Sequence, residues 1–246
     1  MLRIVGSYIS PYVRKVLVCL DIKNLPYELD PIVPFYGNDQ FAAVSPLRRI
    51  PVLIDGDITI PDSTIICEYL EDRYPDPPLY PRSLVSKARA RWLEEYADSR
   101  MGEVFIWRFF NQLVIRRAVW GEQADTIVLQ KAREEEIPQI LDYLEQTVPH
   151  DGHLFGEISV ADISLASFFR NIEMANFELD GQKWPKTRRF VTDVLHLPGF
   201  QKLFNYEELS LRTPIERHRE TLLAAGAPIS SATYFSDKPR RGVMGI

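Results

Sequence analysis

No stretch of the chain approaches the roughly 20 consecutive apolar residues that a membrane-spanning helix needs, so no membrane span is expected. Positive charge is not in excess: 29 Lys and Arg face 34 Asp and Glu, for a net charge of −5. Nucleic-acid binders usually carry a basic surface, so no nucleic-acid partner is expected. Cysteine is scarce, with only Cys19 and Cys67. Both sit inside apolar helical patterns, which points to small buried hydrophobes in a reducing compartment rather than a disulfide. The start, MLRIVGSYIS, has one positive charge and an apolar run too short for a secretory signal. A cytoplasmic protein is expected. His150 and His153, in HDGH, lack the further ligands of a zinc site, so no metal is expected.

What is present suits a soluble globular protein. The 246 residues are 46% hydrophobic and 26% charged, enough for one large or two modest domains. The first eighty residues alternate in type. LRIVG (2–6) and YELDPIV (27–33) read as strands around a helix that starts at Pro11 with Ser10 as its N-cap. NDQFAAVSP (38–46) reads as a short helix or turn. IPVLI (50–54) and DITI (57–60) flank Asp55-Gly56, a hairpin signal, so those two strands run antiparallel. A helix follows over 62–75. The order is βαβ–αββα.

YPDPPLYPRS (74–83) holds four prolines in ten residues and marks a linker. Beyond it the patterns are helical: one long helix over 86–120, a second over 122–148 bent at Pro138, and shorter ones at 185–196 and 199–209. Ser159 and Asp162 form a capping box for a helix over 160–174, with Ile158 and Ile163 as its hydrophobic staple. The expected fold is an α/β domain over 1–77 with a mixed four-stranded sheet. An all-α helical bundle over 84–246 follows, ending in an irregular tail after Arg212.

Three motifs carry a family resemblance. SPYVRKV (10–16) resembles the serine-type active-site turn of tau-like and several bacterial glutathione S-transferases. RRIPVLIDGDITIPDSTIICEYL (48–70) resembles their thiol-peptide binding core, and GEISVADISLA (156–166) their folding box. The motifs occur in family order, and the likeness covers the chain to about residue 210. It implies a thioredoxin-like first domain, a helical second domain, glutathione as co-substrate without a metal, and a homodimer.

The resemblance also implies residue roles. Thiol-redox proteins often place cysteines where Ser10 and Val13 stand. With both thiols absent, the ligand brings the sulfur. Ser10 would hydrogen-bond that sulfur, beside a helix N-terminus whose partial positive charge favours an anion. A thiol pKa lowered by about 2 units favours the thiolate by about 2.7 kcal/mol. Ile50 would pair its backbone with the cysteinyl part, ahead of a cis Pro51. Ser63 would hold the γ-glutamyl carboxylate and Asp62 the ammonium, although the family more often has Glu or Gln at that position. Arg49 would face the glycyl carboxylate, with Arg48, Tyr36 or Asn38 as substitutes. Tyr8 is a rival activator or a wall of the site, and Ser7 a loop hydroxyl. Tyr8, Tyr12, Phe105 and Phe109 are candidates for an apolar second-substrate pocket. The expected activity is transfer of glutathione to an apolar electrophile. Peroxide or disulfide reduction, dehalogenation and isomerisation are alternatives on the same site, and a non-catalytic binding protein is another.

Overall fold

A computed structural model describes residues 1–241; residues 242–246, the end of the expected tail with Gly242, lie outside the described residues. Strands β1 (Leu2–Val5), β2 (Tyr27–Asp30), β3 (Val52–Asp55) and β4 (Ile58–Pro61) form one sheet in the order β2-β1-β3-β4. β1 and β2 run parallel across helix α1 (Pro11–Ile22), whereas β3 is antiparallel to both β1 and β4. Short α2 (Asp39–Val44) precedes β3, and α3 (Ser63–Arg73) follows β4. The mixed four-stranded sheet is as the sequence predicts.

Helix α1 is buried nearly all round: Val13, Val16, Leu17, Val18, Cys19 and Leu20 are at most 1% exposed. A helix of that kind must be covered on more than one face. One cover is α3, where Lys15 Nζ donates to Thr64 Oγ1 at 3.2 Å and Cys67 Sγ lies 3.7 Å from Cys19 Sγ. Both cysteines are free and buried.

The chain divides into two compact units, with one break at Pro77 inside the proline-rich stretch and a second, at Gly199, that the sequence did not mark. One comprises Met1–Pro77 together with the chain from Gly199 onward, and the other is Pro78–Pro198. This differs from the expected helical domain over 84–246, and specific bonds give the reason. Helix α9 (Pro198–Arg212) ties to α1 through Glu207 with Arg14 and Lys202 with Asp21, both at 2.5 Å. After α10 (His218–Ala224) the tail lies along the open edge of β2. Leu29 N–H donates to Pro228 O at 2.7 Å, and Ser230 N–H to Leu29 O at 2.9 Å. Asp30 accepts from Thr233 Oγ1 and from Tyr234 N–H, both at 2.7 Å. The tail therefore covers a sheet edge of the first unit.

The second unit is helical. α4 (Leu84–Tyr96) runs on into a wider, π-type coil over Ala97–Trp120. α5 (Thr126–Lys131) and α6 (Ile137–Thr147) are joined by a π turn at Ala132–Glu136, immediately before Pro138, whose missing N–H prevents a regular ladder there. The buried α7 (Val160–Met174) begins with the expected box: Ser159 N–H and Oγ both donate to Asp162 Oδ2, at 3.0 and 2.6 Å. α8 (Pro185–Leu195) follows. Among the described residues no helix is long and apolar enough to cross a membrane.

Candidate active site

The end of β1, the first turn of α1 and Ile50 meet at Gly6. A Cβ there would stand 2.4 Å from Val13 Cγ2 and 3.4 Å from Ile50 Cβ, so a glycine is needed for the approach. Ser10 is the N-cap of α1, half-buried, with Pro11 as the first helical residue. Its Oγ accepts from Val13 N–H at 3.4 Å, and its own N–H donates to Ser7 O at 3.0 Å. A hydroxyl that accepts in this way keeps its proton for another acceptor. No acidic side chain occupies the first turn of α1, so its positive end is not neutralised there. Tyr12, in that same turn, is half-buried.

The other half of the site follows β3 and β4. The Ile50–Pro51 peptide is cis. Among the described residues the Ile50 backbone takes no hydrogen-bond partner, while Pro51 O accepts from Asp62 N–H at 3.3 Å. Asp62 has φ +97°, a region that L residues rarely adopt. Its Oδ1 caps α3, accepting from Thr64 N–H at 2.9 Å and Ile65 N–H at 3.3 Å. Ser63 is the first residue of α3 and only 3% exposed. Ser10, Ile50, Pro51, Asp62 and Ser63 are thus linked through Gly6, Val13 and the Pro51–Asp62 bond.

The two arginines separate. Arg48 turns inward, donating to Gly37 O and Asn38 O, with its guanidinium 5.7 Å from the Phe41 ring centre. Arg49 is exposed, and among the described residues its side chain has no partner. Tyr36 is stacked on Phe235 at 5.7 Å, and Asn38 Oδ1 caps α2 at Phe41 N–H, 3.0 Å. Arg48, Tyr36 and Asn38 are therefore engaged within the fold, which leaves Arg49.

Other candidates fall to packing. Tyr8 is 1% exposed, 5.0 Å from the Tyr206 ring, and burial pushes its hydroxyl far above the usual phenol range. A phenol this buried stays neutral and presents no surface to a substrate. Ser7 Oγ accepts Ile9 N–H at 3.3 Å within the turn. Phe105 and Phe109 are fully buried in the helical unit, edge-on to Phe169 and Phe177. Both are core residues rather than pocket walls, because the wide coil that carries them turns that face inward. Among the described residues no three or more His, Cys, Asp or Glu side chains gather as metal ligands would.

Sequence reasoning missed Arg14 and Glu207. Both side chains are 0% exposed, and Arg14 Nε donates to Glu207 Oε1 at 2.5 Å. Arg14 among the apolar residues of α1 was the available signal, but nothing local named its partner.

Comparison with known proteins bears on the family. The family model for the glutathione S-transferase N-terminal domain matches residues 4–78, and that for the C-terminal domain matches 114–206. Glutathione S-transferase Z1 of Arabidopsis thaliana is 36% identical over 90 residues, which is 35% of this chain and 41% of that protein. The match thus spans about two fifths of the relative's length. A glutathione S-transferase structure from Rhodospirillum rubrum F11 superposes with a TM-score of 0.79 at 27% identity, covering 90% of this chain and 99% of that one. Another, from Methylobacterium radiotolerans in complex with glutathione sulfonate, gives a TM-score of 0.68 at 25% identity over 82% and 93% of the two chains. With its sheet order, its helical second unit and both domain models matched in sequence order, the chain belongs to the glutathione S-transferase family.

Proposed function

We propose that the protein binds glutathione in its first unit, lowers the pKa of the thiol, and transfers the thiolate to an apolar electrophile. The observation that carries this reading is the open Ile50 backbone beside the Ser10 cap. An extended peptide can pair with Ile50 as an added strand, and its thiol then meets the N-terminus of α1. Ser10 donates its hydroxyl proton to the thiolate, while the helix end supplies the positive potential. Arg49 takes the glycyl carboxylate. Asp62 and Ser63 receive the γ-glutamyl end, with Asp62 Oδ2 facing the ammonium because Oδ1 is committed to the α3 cap. Holding thiolate and electrophile together supplies the proximity contribution. The protein works as a cytoplasmic homodimer and needs no metal.

The test is a pH titration of thiolate absorbance for glutathione bound to wild type and to Ser10→Ala. A bound-thiol pKa about 2 units below that of free glutathione, rising by about 1 unit or more in the variant, supports the mechanism. Tight binding with an unshifted thiol in the wild type would instead identify a binding protein without turnover. Activity on hydroperoxides or mixed disulfides would move the reaction type to glutathione-dependent reduction.

A further inference from the structure

The Arg14–Glu207 pair is an expensive thing to bury. Both charges are fully removed from water, and such pairs are often no better for stability than apolar residues of the same size. The geometry of the guanidinium indicates another role. Nε donates to Glu207, while Nη2 is 3.4 Å from Tyr8 O and 3.5 Å from Ile9 O. Those are the two carbonyls immediately before Ser10. The backbone N–H of the same residue donates to Ser10 O at 2.9 Å. Ser10 is therefore bracketed by one residue, side chain on the incoming chain and main chain on its own carbonyl. From the other side, Ser7 holds the turn through its carbonyl on Ser10 N–H and its Oγ on Ile9 N–H.

We propose that Arg14, anchored by Glu207, is the positioning residue of the Ser10 turn: it fixes where the Ser10 hydroxyl points. The inference rests on the reading of Ser10 given above. A cap hydroxyl can serve a thiolate only if the turn holds it at hydrogen-bond distance, and misplacement of about 1 Å can cost on the order of 100-fold in rate. Arginine suits the task because its planar fork reaches a carboxylate and two carbonyls at once. Lysine, a single point donor, cannot reproduce that. Glu207 comes from α9, so the first turn of the chain is set by a helix 193 residues further on.

The experiment compares the full chain with Arg14→Lys and with the double variant Arg14→Met/Glu207→Met. The readouts are the pKa of bound glutathione, the affinity for glutathione and thermal stability. The double variant removes both buried charges together, so neither charge of the pair is left facing an empty place. The expected result is a bound-thiol pKa raised by about 1 unit or more in both variants, an approximately tenfold loss of thiolate below that pKa. Affinity for glutathione should stay within about twofold of wild type, because Ile50 and Arg49 are untouched. A melting temperature that falls while the bound-thiol pKa stays at the wild-type value would overturn the inference and leave the transferase reading standing. An unshifted thiol in the wild type itself would overturn both. Should the double variant not fold, Arg14→Lys, which keeps the charge, decides between these outcomes on its own.

Discussion

At the scale of single residues, adjacent side chains perform different work. Arg48 has φ +51° and spends its guanidinium on the carbonyls of Gly37 and Asn38, whereas Arg49 points its side chain to solvent. Arg48→Ala should therefore lower stability by about 1–2 kcal/mol in urea unfolding, with little change in glutathione affinity. Arg49→Ala should do the reverse, weakening glutathione binding by calorimetry while the unfolding midpoint holds. Asp62→Ala removes the α3 cap and should cost about 1 kcal/mol, in addition to weaker glutathione binding. The caps at Ser10, Asp62 and Ser159 were legible in the sequence because each cap and its partners lie within three residues. Arg48 was not, since its partners lie ten and eleven residues back and the contact depends on an unusual backbone angle.

Among the elements, α10 and the tail behind it were the hardest to anticipate. The run after Arg212, with glycine, prolines and few periodic residues, reads as irregular, yet it forms a short turn at Ile215–Arg217 and α10 before the tail lies down on the sheet edge. What decides its place is the unpaired edge of β2, which needs hydrogen-bond partners and takes them from residues 228 and 230. Deleting the chain from Pro228 onward should lower the melting temperature by roughly 5 °C or more and promote association through the bared edge. His218 adds a pH dependence. It is 3% exposed and Nε2 donates to Thr213 O at 3.0 Å, and burial pushes its pKa below the ordinary histidine value. The unfolded chain then takes up a proton before the folded one does. Its contribution to stability is complete above about pH 6.5 and is lost as the pH falls toward the folded value. Thermal melts across that range should show a shallower acid-side slope for His218→Gln than for wild type. An identical slope would mean that the α10 histidine is already accessible to protons.

Over the whole molecule, the linker at 74–83 was readable from its prolines, and the sheet from its alternation of strand and helix. The boundary at Gly199 was not. α9 has an amphipathic pattern like those of the bundle helices, and its partners, Arg14, Asp21 and Tyr8, place it with the first unit. The core of that unit makes a chemical prediction. Cys19 and Cys67 are fully buried, so a thiol reagent should modify neither in the native protein and both in denaturant. Prompt reaction in native buffer would show that α1 and α3 open readily.

The division at Pro77 and Gly199 also bears on the order of events during synthesis. A chain leaves the ribosome from its N-terminus, and domains generally fold as they emerge. Here the sheet and α1 emerge first, yet the helix that anchors Arg14 and the segment that closes the β2 edge come only after the whole helical unit has been made. The unit that is begun first is completed last. During that interval Arg14 awaits Glu207 and the β2 edge awaits residues 228 and 230, so a nascent chain stalled before Glu207 should be the form most dependent on chaperones.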